Sequence, residues 1–261
     1  MNRYVRMYLE RGLNKMKVIM NADDFGFSKG VNLGIVEGFK NGIITSTSLM
    51  VNMPGFEHAI SLMKKYPNLL HVGIHLVTTV QYAVSGPLKT LTDETGHFYH
   101  DSSIVNNCDQ KEIELEYEAQ MDKFLSTGLK PDHIDFHYCH TKPQIIAGIK
   151  LAKKYNLPMR AGSKDIEKLL SEEGISYAPN HIPDFYNHGQ VNDMLDLLKR
   201  NLQENKDIIE FAVHPAYVDF DLLNLSSYNT KRAIELNSLL DSKILSFIKE
   251  NDIKLINFSD L

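Results

Sequence analysis

Short apolar segments alternate with amphipathic segments along most of the chain. Lys17–Asn21 is a compact apolar run typical of a buried strand, and Lys29–Asn41 repeats apolar residues at helical spacing before Gly42. Predicted strands and helices continue to alternate along the rest of the chain. The predicted strands are 17–21, 47–51, 71–77, 133–136, 157–160, 208–214 and 253–258, and the predicted helices are 29–41, 56–66, 112–127, 144–155, 191–205 and 231–250.

About seven strand–helix units without a break in composition predict a single α/β domain. We expect a distorted (β/α) barrel, similar to a TIM barrel, with about seven parallel strands, and the length of 261 residues suits such a barrel. Residues 77–107 are irregular, and residues 162–190 indicate a short helix followed by a loop. Residues 1–15 are charged and aromatic without the apolar core of a secretory signal. We predict that they form a dispensable extension and that residues 16–261 form the domain.

Composition narrows the function classes. The net charge of −5 argues against a nucleic-acid-binding surface, and no run reaches the roughly 18 apolar residues that a membrane span needs. The two cysteines, Cys108 and Cys139, provide no disulfide framework. We therefore expect a cytoplasmic protein without nucleic-acid or membrane partners.

Two adjacent carboxylates, Asp23 and Asp24, follow the first predicted strand and precede Gly26. Parallel sheets and β/α barrels hold their reactive groups at this carboxyl edge, which favours a functional site. An Asp-rich turn that caps the helix beginning near Ser28 would explain the same residues. Both explanations remain open at this point.

Histidines lie at or near the carboxyl ends of three other predicted strands. The third strand carries His75, a later one ends at His214, and the segment 133–140 carries three histidines and one aspartate. A single histidine in an apolar run is commonly a core residue, and His214 could simply end its strand. The density of the segment 133–140 is harder to explain structurally, and it favours a metal or catalytic site.

One carboxylate and two neutral imidazoles can bind a divalent metal and leave positions open for water and substrate. We predict Asp24, His75 and His137 as ligands, Asp23 as the base that takes a proton from water, and His214 as the acid.

Three further residues of the segment 133–140 have open roles. His133 and Asp135 could orient a metal ligand. His140 could be a ligand, a substrate contact or a loop residue.

The sequence lacks the common motifs of nucleotide-binding proteins and serine hydrolases. There is no dinucleotide fingerprint, no Walker loop and no Gly-x-Ser-x-Gly elbow. The glycines Gly26, Gly30, Gly34 and Gly38 are spaced by four residues, which predicts close packing of a helix.

Several of these segments, in this order, resemble those of the YdjC-like carbohydrate deacetylases, a family that includes chitooligosaccharide deacetylases. The resemblance is dense over residues 17–143, thin over 160–205 and returns at the C-terminus. It is carried by Asn21–Gly26, Ser28–Gly30, Gly42–Thr47, Gly73–Leu76, Gly86–Leu88, Pro131–Pro143, His214-Pro215 and Leu255–Phe258.

The resemblance implies a distorted β/α barrel that removes N-acetyl groups from amino sugars with one divalent metal ion. It places the metal on Asp24, His75 and His137, the base on Asp23 and the acid on His214. It also implies a homodimer. Family members are commonly described with magnesium, whereas two imidazoles and a carboxylate suit zinc by ligand type.

The sequence departs from the family at three positions. Phe136 replaces a small residue, His140 is out of register with the family's later histidines, and Ala216 replaces a glycine. These changes bear on substrate preference more than on reaction type. Two alternatives stay open: a metal hydrolase of a phosphoester or a non-sugar amide, and a sugar-binding protein without turnover.

Overall fold

The structure, a computed structural model, describes residues 15–138 and 140–261. Of the predicted extension at residues 1–15, only Lys15 lies within this part, where its ammonium pairs with Asp252. The rest of the extension lies outside the described residues, so its dispensability stays a prediction.

The described strands form a parallel sheet that curves into a nearly closed barrel, which confirms the predicted single (β/α) barrel. Its order is β6-β5-β4-β3-β2-β1-β8-β7, and β9 pairs with the start of β1. Since β6 and β7 are two pieces of the short segment 177–182, that segment joins β5 to β8. The strands are β1 Lys17–Phe25, β2 Ser46–Leu49, β3 Val72–Leu76, β4 Ile134–Phe136, β5 Met159–Arg160, β6 Tyr177–Ala178, β7 His181–Ile182, β8 Ile208–Val213 and β9 Lys254–Ile256.

Helices pack around this barrel. They are α1 Lys29–Asn41, α2 Phe56–Lys65, α3 Ser102–Asn106, α4 Gln110–Leu125, α5 Lys142–Tyr155, α6 Lys164–Glu172, α7 Val191–Gln203, α8 Phe220–Leu225, α9 Thr230–Leu239 and α10 Ser242–Glu250, with a 3₁₀ turn at Phe258–Asp260. Within these described residues, none of the helices combines the length and apolar character that crossing a membrane requires.

The prediction of one helix over 231–250 was wrong. Two helices, α9 and α10, occupy this region, and they are separated at Leu240 and Asp241. The Asp241 side chain accepts a hydrogen bond from the backbone N–H of Lys243 and so begins α10 as its N-cap. An N-cap inside an apolar repeat is easily missed, because the repeat continues across it.

Strand β1 is longer than predicted and carries both aspartates within it. It is buried along nearly its whole length and reaches Phe25. Its register with β2 slips between Ala22 and Phe25, where β1 holds one extra residue, and Asp24 there has φ 69°. This bulge gives the two neighbouring carboxylates different surroundings.

The spaced glycines of α1 bring this helix against the backbone after β8, as predicted. A Cβ placed on Gly30 would lie 2.2 Å from the carbonyl oxygen of Tyr217, and one on Gly34 would lie 2.7 Å from the Cα of Ala216. Both contacts are with backbone, which cannot move aside cheaply. The helix therefore fixes the segment that follows His214.

We predict that Gly34→Ala lowers the free energy of unfolding by about 1–3 kcal/mol, because the new methyl group overpacks this contact. Leu33→Ala is the matched control on the same helix, since Leu33 is 46% exposed, and it should change stability by less than about 0.5 kcal/mol. Chemical denaturation measures both. A Gly34→Ala protein as stable as the parent would contradict the packing argument.

Candidate functional site

Polar side chains at the carboxyl ends of the barrel strands lie together in one cluster. They come from strands far apart in the sequence, because adjacent parallel strands end at the same edge. The cluster contains Asp23 and Asp24 on β1, His75 on β3, Asp135 on β4 and Arg160 on β5, with His137 and His214 following β4 and β8. Glu210, in the middle of β8, reaches the cluster from below through Arg160.

Asp23 is held by a guanidinium. Arg160 Nη1 donates to Asp23 Oδ2 over 2.8 Å, and Arg160 Nη2 donates to Oδ1 over 2.7 Å. The Asn21 amide adds a bond of 2.8 Å to Oδ1. Burial alone would raise the pKa of Asp23, but the Arg160 charge outweighs it and the pKa is lowered. Asp23 is therefore an ionised carboxylate with both oxygens engaged.

Asp24 has one engaged oxygen and one free oxygen. Arg232 Nη2 donates to Oδ2 over 2.7 Å. Oδ1 is buried without a hydrogen-bond partner and lies 3.3 Å from His75 Nε2. Burial favours the neutral acid, yet the Arg232 charge keeps the pKa of Asp24 well below its usual range. Asp24 Oδ1 thus accepts no hydrogen bond, and the compensation of its charge depends on the neighbouring His75 ring or on a bound cation.

His75 is oriented by its other ring nitrogen. Its Nδ1 lies 2.6 Å from Asp135 Oδ1 and 3.2 Å from Ser48 Oγ, which turns Nε2 towards Asp24. Burial by itself would lower the pKa of His75, but the Asp135 carboxylate raises it to about 10. Without a cation the ring is therefore protonated near pH 7, and a metal ion bound at Nε2 would have to displace that proton. A carboxylate behind a histidine commonly fixes the ring of a metal ligand. Asp135 therefore has the orienting position that the sequence left open.

His137 is half-buried beside His75. The two ring centroids are 5.7 Å apart, and His137 Nδ1 lies 3.3 Å from Thr79 Oγ1. Burial lowers the pKa of His137 to about 4. Its imidazole is therefore neutral near pH 7, the form that binds metals.

His214 lies on the other side of Asp23. Its Nε2 is 3.9 Å from Asp23 Oδ2, which is too far for a hydrogen bond but close enough for attraction between charges. Its backbone N–H donates to Glu235 Oε2 over 2.6 Å. The rings of Tyr186 and Tyr228 meet the imidazole edge-on, at centroid distances of 5.3 Å and 5.9 Å. The histidine is thus fixed at both its backbone and its ring.

Two arginines organise this cluster: Arg160, whose role the sequence leaves open, and Arg232, which the sequence does not single out. Arg160 also donates through Nε to Glu210 Oε1 over 2.9 Å and lies 3.3 Å from Asp135 Oδ2. Arg160 ends a predicted strand, and a polar residue at the carboxyl end of a strand is the same signal that selected the histidines. Arg232 reaches Asp24 from α9 across 208 positions of sequence, and no local pattern points to that contact.

Two overlapping sets of side chains could hold a metal ion. Asp23, His75 and Asp135 bring ligand atoms within 4.8 Å of one another, but Arg160 donates to both oxygens of Asp23 and lies beside Asp135. The predicted set, Asp24, His75 and His137, lies entirely within the described residues and does not bring three ligand atoms within that distance of one another. Its closest contact is the 3.3 Å between Asp24 Oδ1 and His75 Nε2, and the ring centroids of His75 and His137 are 5.7 Å apart. In favour of this set, no guanidinium occupies Asp24 Oδ1.

The other histidines of the segment 133–140 have structural partners. His133 Nδ1 lies 2.6 Å from Asp132 Oδ1, and its ring stacks on Phe258 at 3.8 Å. His140 is exposed, contacts the edge of Phe136 at 5.8 Å, and lies in the loop before α5. Burial of its ring and the charge of Arg160 lower its pKa to about 4, so it lies near the edge of the cluster and its role stays open.

The large Phe136 fits because the opposing residue lacks a side chain. A Cβ on Gly148 would lie 2.5 Å from Phe136 Cζ.

The two aspartates do not cap the helix that follows them. Ser28 caps α1 instead, because its side chain accepts a hydrogen bond from the Val31 N–H over 3.1 Å.

Known proteins are similar to this sequence over nearly its whole length. The sequence model of the YdjC-like protein family matches residues 17–250. A carbohydrate deacetylase of Clostridium beijerinckii is 42% identical over 252 residues, covering 94% of this chain and 100% of that protein. A carbohydrate deacetylase of Brevibacillus brevis is 40% identical over 258 residues, with the same shares of 94% and 100%.

A solved structure has the same fold. It is a protein of Enterococcus faecalis, provisionally described as a cellobiose-phosphate cleavage protein, with 31% identity and a TM-score of 0.87. The match covers 94% of this chain and 98% of that one. The matched family sequence, the two bacterial relatives and this structure agree with the resemblance found in the motifs. This chain belongs to the YdjC-like protein family.

Proposed function

We propose that this protein is a metal-dependent hydrolase that removes N-acetyl groups from amino sugars or N-acetylated oligosaccharides and releases acetate. One observation carries the proposal. The two adjacent aspartates have different surroundings, because Arg160 holds both oxygens of Asp23, whereas Asp24 Oδ1 accepts no hydrogen bond and faces His75 Nε2 at 3.3 Å. The names of the bacterial relatives support a sugar substrate.

In this proposal Asp24, His75 and His137 hold one divalent ion. The ion would polarise the acetyl carbonyl and lower the pKa of water. The unpaired Asp24 Oδ1, the Nε2 of His75 and the neutral ring of His137 support the assignment. Two imidazoles favour Zn²⁺ by ligand type, and Mg²⁺ is the alternative that the family resemblance implies.

Two further residues move protons. Asp23 accepts a proton from the attacking water, and Arg160 keeps the carboxylate ionised and fixed in orientation during this step. His214 donates a proton to the amine nitrogen as acetate leaves. His214 Nε2 lies 3.9 Å from Asp23 Oδ2, so the proposed proton donor and proton acceptor are adjacent.

We also propose a homodimer in the cytoplasm. Tyr217, Phe220 and Leu223 expose 48%, 79% and 51% of their surfaces after β8, which is a suitable area for a second copy. The thiol of Cys108 is free, which suits a reducing compartment. Light scattering of the purified protein measures the mass directly.

Acetate release tests the function. We expect the purified, metal-supplemented protein to release acetate from N-acetylglucosamine oligomers and to lose this activity with a chelator. The panel should include cellobiose phosphate and a phosphoester, because a relative is described with cellobiose phosphate. Phosphate release or glycosidic cleavage without acetate would replace the proposal by a hydrolase of another bond.

Paired substitutions of the two aspartates should separate their roles. Asp24→Asn weakens the metal site, so we expect substoichiometric metal after dialysis and no turnover, as for His137→Ala. Asp23→Asn keeps all three ligands, so we expect full metal content and a kcat lower by about 10²- to 10⁴-fold. Elemental analysis and acetate release measure the two effects. Metal loss in Asp23→Asn with retention in Asp24→Asn would reverse the assignment.

Removing the central guanidinium should destabilise the fold. We predict that Arg160→Met lowers the free energy of unfolding by about 3–5 kcal/mol, because Asp23, Asp135 and Glu210 lose their shared counter-charge. Lys150→Met, which breaks only an exposed pair with Glu114, is the control and should cost less than about 1 kcal/mol. If denaturant titrations give the two variants the same loss of unfolding free energy, the buried ion pairs of Arg160 stabilise the fold no more than an exposed pair does.

A further inference from the structure

An exposed tyrosine ring stands beside the proposed acid. Tyr186 lies in the loop after β7, is 41% exposed, and meets His214 edge-on at 5.3 Å. Its ring stacks on Tyr228 at a centroid distance of 4.1 Å. Within the described residues its hydroxyl has no hydrogen-bond partner. An aromatic ring and a free hydroxyl are therefore both available at the rim of the site.

The loop that carries Tyr186 is anchored. The backbone N–H of Asn187 donates to the Tyr228 hydroxyl over 3.0 Å, and Lys231 Nζ donates to Asn187 Oδ1 over 3.1 Å. Phe185 is completely buried in the core. Neighbours on both sides thus hold Tyr186 in place although its own ring is partly in solvent. A preorganised ring loses little conformational entropy when a ligand covers it.

A second exposed tyrosine follows the proposed ligand His137. Tyr138 is 60% exposed and has φ 51°, a left-handed backbone that is unfavourable for a bulky residue. Its ring is parallel to that of His100 at 6.0 Å. Strain of this kind is concentrated at functional sites. The exposed ring gains little from burial, so packing does not explain why the strain is tolerated.

The two tyrosines belong to the same region. Tyr186 meets His214, whose Nε2 lies 3.9 Å from Asp23 Oδ2. Tyr138 directly follows His137, whose ring lies 5.7 Å from that of His75. Single exposed aromatic residues are ordinary on protein surfaces. These two instead flank the same cluster of aspartates and histidines.

We propose that Tyr138 and Tyr186 are substrate-binding residues that contact the sugar ring carrying the acetamide. The flat C–H face of a pyranose can pack on a phenol ring, and the phenol hydroxyls can bond sugar hydroxyls. This inference rests on the proposed function for the class of ligand. It adds that sugar affinity comes from these two rings, whereas the aspartates and histidines act on the acetyl group.

Calorimetry with N,N′-diacetylchitobiose tests the inference in the metal-loaded Asp23→Asn protein, where turnover does not interfere. We expect Tyr186→Ala to weaken binding by about tenfold or more and Tyr186→Phe by less than about threefold. Tyr66→Ala is the matched control, because that ring precedes β3 at the opposite end of the barrel, and it should bind as the parent does.

Tyr138→Gly separates binding from structure. Glycine accepts the left-handed backbone, so we expect a melting temperature at or above that of the parent together with sugar binding weaker by about fivefold or more. A structural tyrosine would instead give a lower melting temperature with unchanged affinity. That result, or Tyr186→Ala and Tyr138→Gly affinities within about twofold of the parent, overturns the inference.

The two proposals fail in different ways. The parent in these binding experiments is the metal-loaded Asp23→Asn protein. If it binds the disaccharide through the two tyrosine rings but the wild-type protein releases no acetate, the deacetylase function fails and the sugar site stands. If the wild-type protein releases acetate and the tyrosine variants bind normally, the sugar site fails alone. A parent that does not bind the disaccharide overturns the sugar site directly.

Discussion

The structure depends on one buried guanidinium. Arg160 lies among Asp23, Asp135 and Glu210, and its own exposure is only 2%. Three carboxylates in a barrel interior would repel one another and lose their hydration without a counter-charge. Arg160 supplies that charge from the short strand β5. It lets several strands end in acidic residues at one place, which a reactive site at the barrel edge requires.

The same constraint explains why two neighbouring aspartates differ. Arg160 occupies both oxygens of Asp23, whereas Arg232 occupies only Oδ2 of Asp24. The bulge of β1 sends the two side chains to these different arginines. Asp24 Oδ1 is left facing His75 Nε2, which Asp135 has oriented. The different surroundings of the two carboxylates, on which their proposed roles as proton acceptor and metal ligand depend, thus arise from backbone geometry and counter-ions and not from residue type.

The sequence could predict the elements with strong local patterns and the residues at their ends. Helix α1 has the predicted bounds, and the histidines after the strands lie in or beside the cluster. The strands β6 and β7 have two residues each, which is too short for any periodicity. Arg232 was missed because its partner is distant in sequence and its place on α9 resembles an ordinary charged helix position. The aspartates and histidines of the cluster were therefore predictable from their places at the strand ends, whereas the roles of the arginine counter-ions were not.

Anomalous diffraction from crystals soaked in Zn²⁺ or Mn²⁺ tests the central claim most directly, because it locates the ion relative to each aspartate. The account predicts one anomalous peak per chain, bonded to Asp24, His75 and His137, with Asp23 still held by Arg160. A peak bonded to Asp23 and Asp135 would contradict it, since the guanidinium would then have to leave the carboxylates that it neutralises.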